Sequence, residues 1–203
     1  MPAEQAPIEQ TSVQQAQEYL AASSIDAWLV YDYQGMNPAL GDVLHTSDFM
    51  TRPAFLLVRP EGRPTLLVSV VDVGQVHARE VDLRPYVGLR EVHRELEVAL
   101  AGLQTVAMEY SPMRALPRVS RVDAGTVELV RSLGPEVISS AELLQYATQR
   151  WTSAGLASHR RAVEAISSIV LNAFGEIGVG LAGGVSEHDI HAYITDQFSR
   201  AGL

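Results

Sequence analysis

Apolar and polar residues alternate with a helical period from Trp151 to the C-terminus. The first stretch places apolar residues at spacings of three, four and seven, which is typical of a helix with one buried face. Glycines between Gly178 and Gly184 are expected to end it. Ser186, with Asp189 three residues later, predicts the start of a second helix, because the hydroxyl can cap free backbone amides and the acid lies at the positive end of the helix dipole. The apolar residues of the first pattern are Leu156, Val163, Ile166, Val170, Phe174 and Ile177.

The second helix has an apolar stripe formed by Ile190, Tyr193, Ile194 and Phe198. Two adjacent helices cannot bury both stripes without a further layer. We therefore expect residues 149–203 to open a second domain whose remainder lies outside this chain. We also expect the stripe at Ile190, Ile194 and Phe198 to pack on its own domain, to pack on another copy of the chain, or to be swapped between chains.

Residues 1–148 alternate between helical and strand patterns, which predicts an α/β domain. Two of the strands form a hairpin with a turn at Glu61 and Gly62, so the sheet is expected to be mixed. Ser12 with Gln15 is a candidate capping pair for the first helix. Residues 1–11 are expected to be frayed, and residues 32–53 to form a long irregular loop of a kind that often carries function. Helical patterns cover 12–22, 91–100, 120–133 and 139–148, and strand patterns cover 27–31, 54–58, 65–69, 105–108 and 137–138.

Composition places the chain among globular proteins, with 203 residues, 47% hydrophobic and 19% charged. That length fits one full domain and a piece of another. No run of consecutive apolar residues approaches the ~18 of a membrane helix, and no secretory signal is visible at the N-terminus. We therefore expect a cytoplasmic location and no membrane partner.

Charge and residue usage exclude several classes of function. The formal net charge of -9 disfavours binding to nucleic acid. Cysteine is absent, which removes disulfides, thiolate zinc sites and thiol nucleophiles. Lysine is absent too, which removes Schiff bases and the P-loop and kinase types of phosphate-binding lysine.

Three groups of residues are candidates for chemistry. The glycines of residues 178–183 match the dinucleotide-binding spacing, but they follow a helical pattern where that motif must follow a strand, so a helix-ending loop is the preferred interpretation. His188 and His191 share a helix face without the four-residue spacing of zinc proteases, which favours a solvated surface. Asp42, His45, Asp48 and Arg52 lie in the long loop, where a binding site and a plain solvated loop both remain open.

Several segments resemble the creatinase, prolidase and aminopeptidase P family, the metallopeptidases with a pita-bread catalytic domain. Residues 37–67 (NPALGDVLHTSDFMTRPAFLLVRPEGRPTLL) and 106–145 resemble the N-terminal domain of that family. Residues 149–203 resemble its linker and the first two catalytic-domain helices, including a Gly-x-x-Glu stretch at Gly184 to Glu187. Residues 153–159 (SAGLASH) depart from the family's Lys-Ser-x-x-Glu-Glu linker, which weakens assignment to a subgroup.

The resemblance implies a fold and an activity. The fold is a creatinase-like N-terminal domain with a mixed sheet over residues 1–148, followed by a truncated helical start of a pita-bread domain over residues 149–203. Family members cleave the bond before proline at two divalent metal ions, usually manganese, cobalt or zinc, with a bridging water as nucleophile. The family's metal ligands lie downstream of the matching segment, so neither a catalytic residue nor a metal ligand is assigned here. The resemblance places Asn37, His45 and Arg52 beside a substrate cleft, with Arg52 as a candidate clamp for a peptide carboxylate.

We therefore expect the N-terminal part of an Xaa-Pro aminopeptidase or dipeptidase that supports oligomerisation and borders an active site, and that is inert alone. The expected partners are further copies of the chain and, in the full-length protein, a peptide substrate. A non-catalytic binding or assembly module of the same origin and a fragment of a creatinase-like amidinohydrolase are the alternatives.

Overall fold

The computed structural model describes residues 10–78 and 80–203, so the expectation for residues 1–9 lies outside the described part. Two compact units are present, Met1–Arg150 and Trp151–Leu203. The helices are α1 Ser12–Ala22, α2 Ala39–Leu44, α3 Leu89–Leu100, α4 Ala124–Ser132, α5 Ala141–Thr148, α6 Ser153–Gly180 and α7 Glu187–Ala201. The strands are β1 Ala27–Asp32, β2 Ala54–Val58, β3 Thr65–Ser69, β4 Asp82–Tyr86, β5 Thr105–Met108 and β6 Glu136–Ser139.

The six strands of the first unit form one sheet in the order β4-β3-β2-β1-β5-β6. β2 runs antiparallel to both of its neighbours, and the other neighbouring pairs are parallel. The predicted hairpin is β2 and β3, and Gly62 in its turn has a φ of 84°, which favours glycine. The α/β prediction with a mixed sheet is confirmed.

Helices cover both faces of this sheet, and alternate residues of β1 point to opposite faces. Trp28 and Val30 join a buried cluster with residues of α1, α2 and α5. Leu29 and Tyr31 join a second cluster with residues of α3 and α4. Every residue of β1 and β2 is buried, because a helical layer lies on each side of these central strands.

Two elements of the first unit differ from the sequence-based expectation. The loop 32–53 contains α2, whose six residues bury Ala39, Leu40 and Val43 but are too few for a periodic pattern to stand out. β4 lies at the sheet edge, its first four residues are exposed, and it contains Pro85. A proline argues against a central strand and is tolerated at an edge, which explains why the pattern did not predict β4.

The helix starts also differ in detail. The capping box of α1 is formed by Thr11 and Gln14, one residue before the predicted pair. α4 begins after Asp123, whose side chain accepts from the Thr126 amide, and it is therefore shorter than predicted. At the start of α5, the Ser140 hydroxyl makes no capping bond, since it is used elsewhere.

The second unit is a pair of helices. α7 begins with the predicted capping box of Ser186 and Asp189. α6 packs with α7, and its buried residues are Ile169 and Ala173, which do not belong to the predicted apolar face. That face remains open: Val163 is 46% exposed and Phe174 is 68% exposed. The stripe of α7 is half-buried at Ile190, Ile194 and Phe198. The expectation that it packs further on another surface or another copy stays a prediction.

The segment Ser153–Gly183 is long and apolar enough to cross a membrane by length and composition, with a mean hydropathy of 1.5. Serines, Asn172 and glutamates interrupt its apolar residues, so a search for consecutive apolar residues misses it. A core helix of a soluble protein satisfies the same two criteria, and one such helix is weak evidence for a membrane span.

Candidate functional site

The loop that carries the predicted site residues is fixed to the sheet from its first residue. Asp32 ends β1 and is buried, and its carboxylate accepts from the amides of Gly35 at 3.0 Å and Asn37 at 2.8 Å. Asn37 is buried as well, and its side-chain amide donates to the Tyr31 carbonyl at 2.8 Å and to Glu109 Oε2 at 2.7 Å. Asn37 therefore holds this loop on the sheet, and its place beside a substrate cleft stays a prediction.

His45 lies at the other end of α2, which it closes in the left-handed conformation with a φ of 49°. Its ring is exposed, and Nε2 lies 3.1 Å from the Ser12 hydroxyl. His45 and Asn37 line the same open cavity of about 700 Å³. The structure therefore brings two of the three predicted residues together.

Arg52 lines a different cavity, on the face of the sheet covered by α3 and α4. The backbone before β2 is fixed by the buried carboxylate of Asp72, which accepts from the amides of Thr51 and Arg52, each at 3.0 Å. The Thr51 hydroxyl also donates to Asp72, at 2.8 Å. The Arg52 side chain is thus exposed on a rigid support.

The cavity beside Arg52 has a volume of about 630 Å³. It lies at the carboxyl ends of three parallel strands, at Tyr31, Ser69 and Tyr86. The Tyr86 hydroxyl donates to the Pro53 carbonyl at 2.7 Å. Burial raises the pKa of Tyr86 to about 12, so its phenol is neutral at ordinary pH.

A buried acid that the sequence did not single out organises the opposite face of the sheet. Glu109 follows β5 and is completely buried. Its Oε1 accepts from the Trp28 indole at 2.6 Å and from the Ser140 hydroxyl at 2.9 Å, and its Oε2 accepts from Asn37. Burial raises the pKa of Glu109, while these three donors act in the opposite direction. The one sequence signal was an acid directly after an apolar strand, with no partner visible nearby.

Asp48, one of the candidate residues of the long loop, pairs with a histidine of another loop. Asp48 accepts from the His77 amide at 2.8 Å, and its Oδ1 lies 2.7 Å from His77 Nδ1. Hydrogen bonds from His77 hold the pKa of Asp48 below its ordinary value against the opposing effect of burial, and the Asp48 carboxylate raises the pKa of His77. The pair joins the predicted loop to the β3–β4 connection. Among residues 10–78 and 80–203, no group of three or more His, Asp or Glu side chains is placed to hold a metal ion.

The first unit has the fold of the N-terminal domains of creatinases and prolidases. A Creatine_N superfamily domain of a dipeptidase from Streptococcus thermophilus matches with a TM-score of 0.54 and 11% identity, over 68% of this chain and 98% of that one. The creatinase/prolidase N-terminal domain of an X-Pro dipeptidase from Streptococcus pyogenes matches with a TM-score of 0.52 and 14% identity, over 66% and 95%.

A longer solved structure matches across both units of the chain. The X-Pro aminopeptidase from Thermotoga maritima has a TM-score of 0.52 and 15% identity, over 91% of this chain and 49% of that one. The chain therefore spans about half the length of that enzyme. At these identities the similarity is one of fold. No protein-family model matches the sequence, and no curated protein matches it.

Proposed function

We propose that this chain is the N-terminal domain, with the opening helices of the catalytic domain, of a metallopeptidase acting at Xaa-Pro bonds. The observation that carries the proposal is the fold match, which covers 98% and 95% of two isolated N-terminal domains of dipeptidases. The match to about half of an X-Pro aminopeptidase supports the same assignment for the helices of the second unit. The parent would be an aminopeptidase or a dipeptidase.

In this proposal the chain supports catalysis without performing it. The described residues offer no cluster of metal ligands, so the two divalent ions expected in such a peptidase, manganese, cobalt or zinc, would be held by other parts of the protein. Arg52 is the best placed of the three predicted residues to contact a peptide carboxylate, because it is exposed and its backbone is fixed. Asn37 would not contact the substrate, and its role would be to hold its loop on the sheet.

Assembly is the second proposed role. The open face of α6 presents Val163, Ile166, Val170 and Phe174 along one side of a helix of 28 residues. A continuous apolar surface of this kind favours association. This surface would pack on the rest of the catalytic domain or on a second copy of the chain. In the second case the protein would be a homo-oligomer, and we propose a cytoplasmic location for it.

Peptidase assays on two proteins test the proposal. This chain and the product of the reading frame continued past Leu203 are each incubated with Mn²⁺ and, in separate reactions, with an Xaa-Pro dipeptide, an Xaa-Pro tripeptide or creatine. We expect turnover by the longer product and none by the chain alone. Turnover by the chain alone would show that the supporting role is wrong, and turnover of creatine in place of the peptide would favour an amidinohydrolase.

The role of Arg52 is tested in the longer product. Arg52→Gln is expected to raise KM for the peptide more than it lowers kcat, because the clamp acts mainly on substrate binding. Arg94→Gln is the matched control, since Arg94 is also an exposed arginine, with a side chain 66% exposed. Equal effects of the two substitutions would remove the clamp from the proposal.

A non-catalytic binding module is the second candidate. The observation in its favour is the cavity of about 630 Å³, whose lining residues all belong to the first unit. Ligand binding by this unit would need no metal centre.

A further inference from the structure

We infer that a groove formed by α2, α5 and the loop between β5 and α4 is a binding site for an acidic α-amino acid, a small ligand with two carboxylates and one ammonium group. All residues that line the groove belong to the first unit, and Arg52 is not one of them. The inference therefore goes beyond the proposed peptidase role and does not depend on it.

The position and size of the groove suit a small ligand. β1, β5 and β6 run parallel, and the segments that follow their carboxyl ends line the groove through Asn37, Arg118 and Ala141. Open α/β sheets bind their ligands at this edge. The volume of about 370 Å³ lies near the lower limit of the roughly 300–1,000 Å³ typical of small-molecule sites, which fits a ligand as small as one amino acid.

The loop after β5 supplies two positive charges. Residues 110–122 contain three arginines and no acid, in a chain with a net charge of -9. Two of these arginines, Arg118 and Arg121, line the groove and are exposed. In the part of the chain that the structure describes, neither guanidinium makes a hydrogen bond, an ion pair or a ring contact. Each therefore keeps the planar set of donors that matches a carboxylate.

The backbone of this loop is fixed, although its arginine side chains are exposed. The Arg121 amide donates to the Glu109 carbonyl at 2.8 Å, and the Leu116 amide donates to the Ser111 hydroxyl at 2.9 Å. Val119, between the two arginines of the groove, is buried. A fixed backbone lowers the entropy lost when the two side chains bind a ligand.

α2 contributes a negative charge to the same groove. Asp42 lines it and is exposed, and its carboxylate has no partner among residues 10–78 and 80–203. A carboxylate at this place repels a simple anion and attracts an ammonium group. Two guanidinium groups and one carboxylate are matched charge for charge by two carboxylates and one ammonium group. The side-chain amides of Gln145 and Gln149 add neutral donors and acceptors.

Two further acids lie close to the groove residues without lining the groove. Glu142 of α5 accepts from the Tyr19 hydroxyl at 3.1 Å, and Glu109 is completely buried and accepts from Asn37. Hydrogen bonds do not remove the charge of a carboxylate. Any negative charge on these acids favours a ligand with an ammonium group over a plain dicarboxylate.

Titration of the ¹⁵N-labelled chain with L-glutamate, followed by NMR at constant ionic strength, tests the inference. We expect the backbone amides of Ala39 and Ala141 and the side-chain amide of Gln145 to shift. L-Glutamine lacks one carboxylate and glutarate lacks the ammonium group, so each should bind about three- to fivefold more weakly, which is the range that one exposed ion pair gives. Absence of shifts with glutamate, or equal affinities for the three compounds, would overturn the inference.

Variants at exposed positions assign each charge. Arg118→Gln combined with Arg121→Gln should remove the preference for glutamate over glutamine. Asp42→Asn should remove the preference for glutamate over glutarate. Arg94→Gln and Asp196→Asn are the matched controls and should change neither preference, since both side chains are exposed and lie outside the groove.

Unchanged preferences in the groove variants would overturn the inference, and circular dichroism shows that each variant is folded. L-Aspartate, which has the same charges on a shorter side chain, measures the length that the groove selects. None of these measurements contains metal or peptide, so a negative result leaves the peptidase assay as an independent test of the proposed function.

Discussion

Replacing Glu109 with alanine removes the acceptor of three hydrogen bonds in a site that water does not reach. Among the described residues, every buried side-chain nitrogen and oxygen has a hydrogen-bond partner. The substitution would leave the Trp28 indole and the Ser140 hydroxyl without one. Asn37 would keep its bond to the Tyr31 carbonyl.

The magnitude follows from these two donors. A buried donor without a partner costs about 1–3 kcal/mol, so two cost about 2–6 kcal/mol. Removing the buried charge relieves part of this cost. We expect the free energy of unfolding to fall by about 2–4 kcal/mol, a large share of the roughly 5–15 kcal/mol of an ordinary domain.

Urea unfolding followed by tryptophan fluorescence measures this loss. The chain has two tryptophans, and Trp151 is 61% exposed. In a Trp151→Phe background the signal therefore comes from Trp28, whose indole donates directly to Glu109. A loss smaller than about 1 kcal/mol would refute the argument that Glu109 holds these donors.

The pH dependence gives a second test of the same residue. Burial raises the pKa of Glu109 in the folded state above its ordinary value of 4.5. A carboxyl of this kind stabilises the fold fully below its unfolded pKa, and that contribution is lost as the pH rises through the folded pKa. The stability of the parent minus that of Glu109→Gln should therefore decrease as the pH rises above about 4.5. A difference that is flat or increases would contradict the raised pKa.

Three further substitutions have defined outcomes. Asp48→Asn should return the pKa of His77 toward its ordinary value in an NMR titration, since the carboxylate raises it, and an unchanged pKa would show that the ion pair is absent in solution. Gly180→Ala should lower the melting temperature of the second unit, because a Cβ there would lie 2.7 Å from Val185 Cβ. Gly178→Ala is the control, since a Cβ at that position meets no atom within 4 Å. Equal melting temperatures of the two variants would contradict the close approach at Gly180. Tyr86→Phe should remove the phenol that ionises near pH 12 in an ultraviolet titration. The lost hydrogen bond to Pro53 should destabilise the first unit by about 1 kcal/mol. If a phenol that ionises near pH 12 remains in the variant, that ionisation belongs to another tyrosine.

The elements with strong local signals were predictable from the sequence. The β2–β3 hairpin follows from two apolar runs around Glu61 and Gly62, and the α7 capping box from Ser186 and Asp189. α2 is too short for a periodic signal. β4 is mostly exposed and contains a proline, so its sequence does not look like a strand. The fold class could be predicted because it depends on the order of elements, which local patterns report.

The interior of the site could not be predicted, because its contacts join distant parts of the chain. Glu109 meets Trp28 across 81 positions, Asn37 across 72 and Ser140 across 31. No local pattern reports such pairs. Arg52 was proposed as a site residue from the composition of its loop and the family resemblance, and its role stays a prediction. Asp72, which fixes the backbone of Arg52, gave no signal in the sequence.

The bonds of Glu109 also constrain when the domain can lock during synthesis. β1, β2 and β3 are sequential neighbours and can pair as soon as they leave the ribosome. β5 must then insert beside β1, and Ser140 must follow, before the acid has all of its donors. Contacts of such long sequence separation slow folding. A nascent chain that ends before Ser140 therefore lacks one of the three donors that Glu109 has in the folded domain.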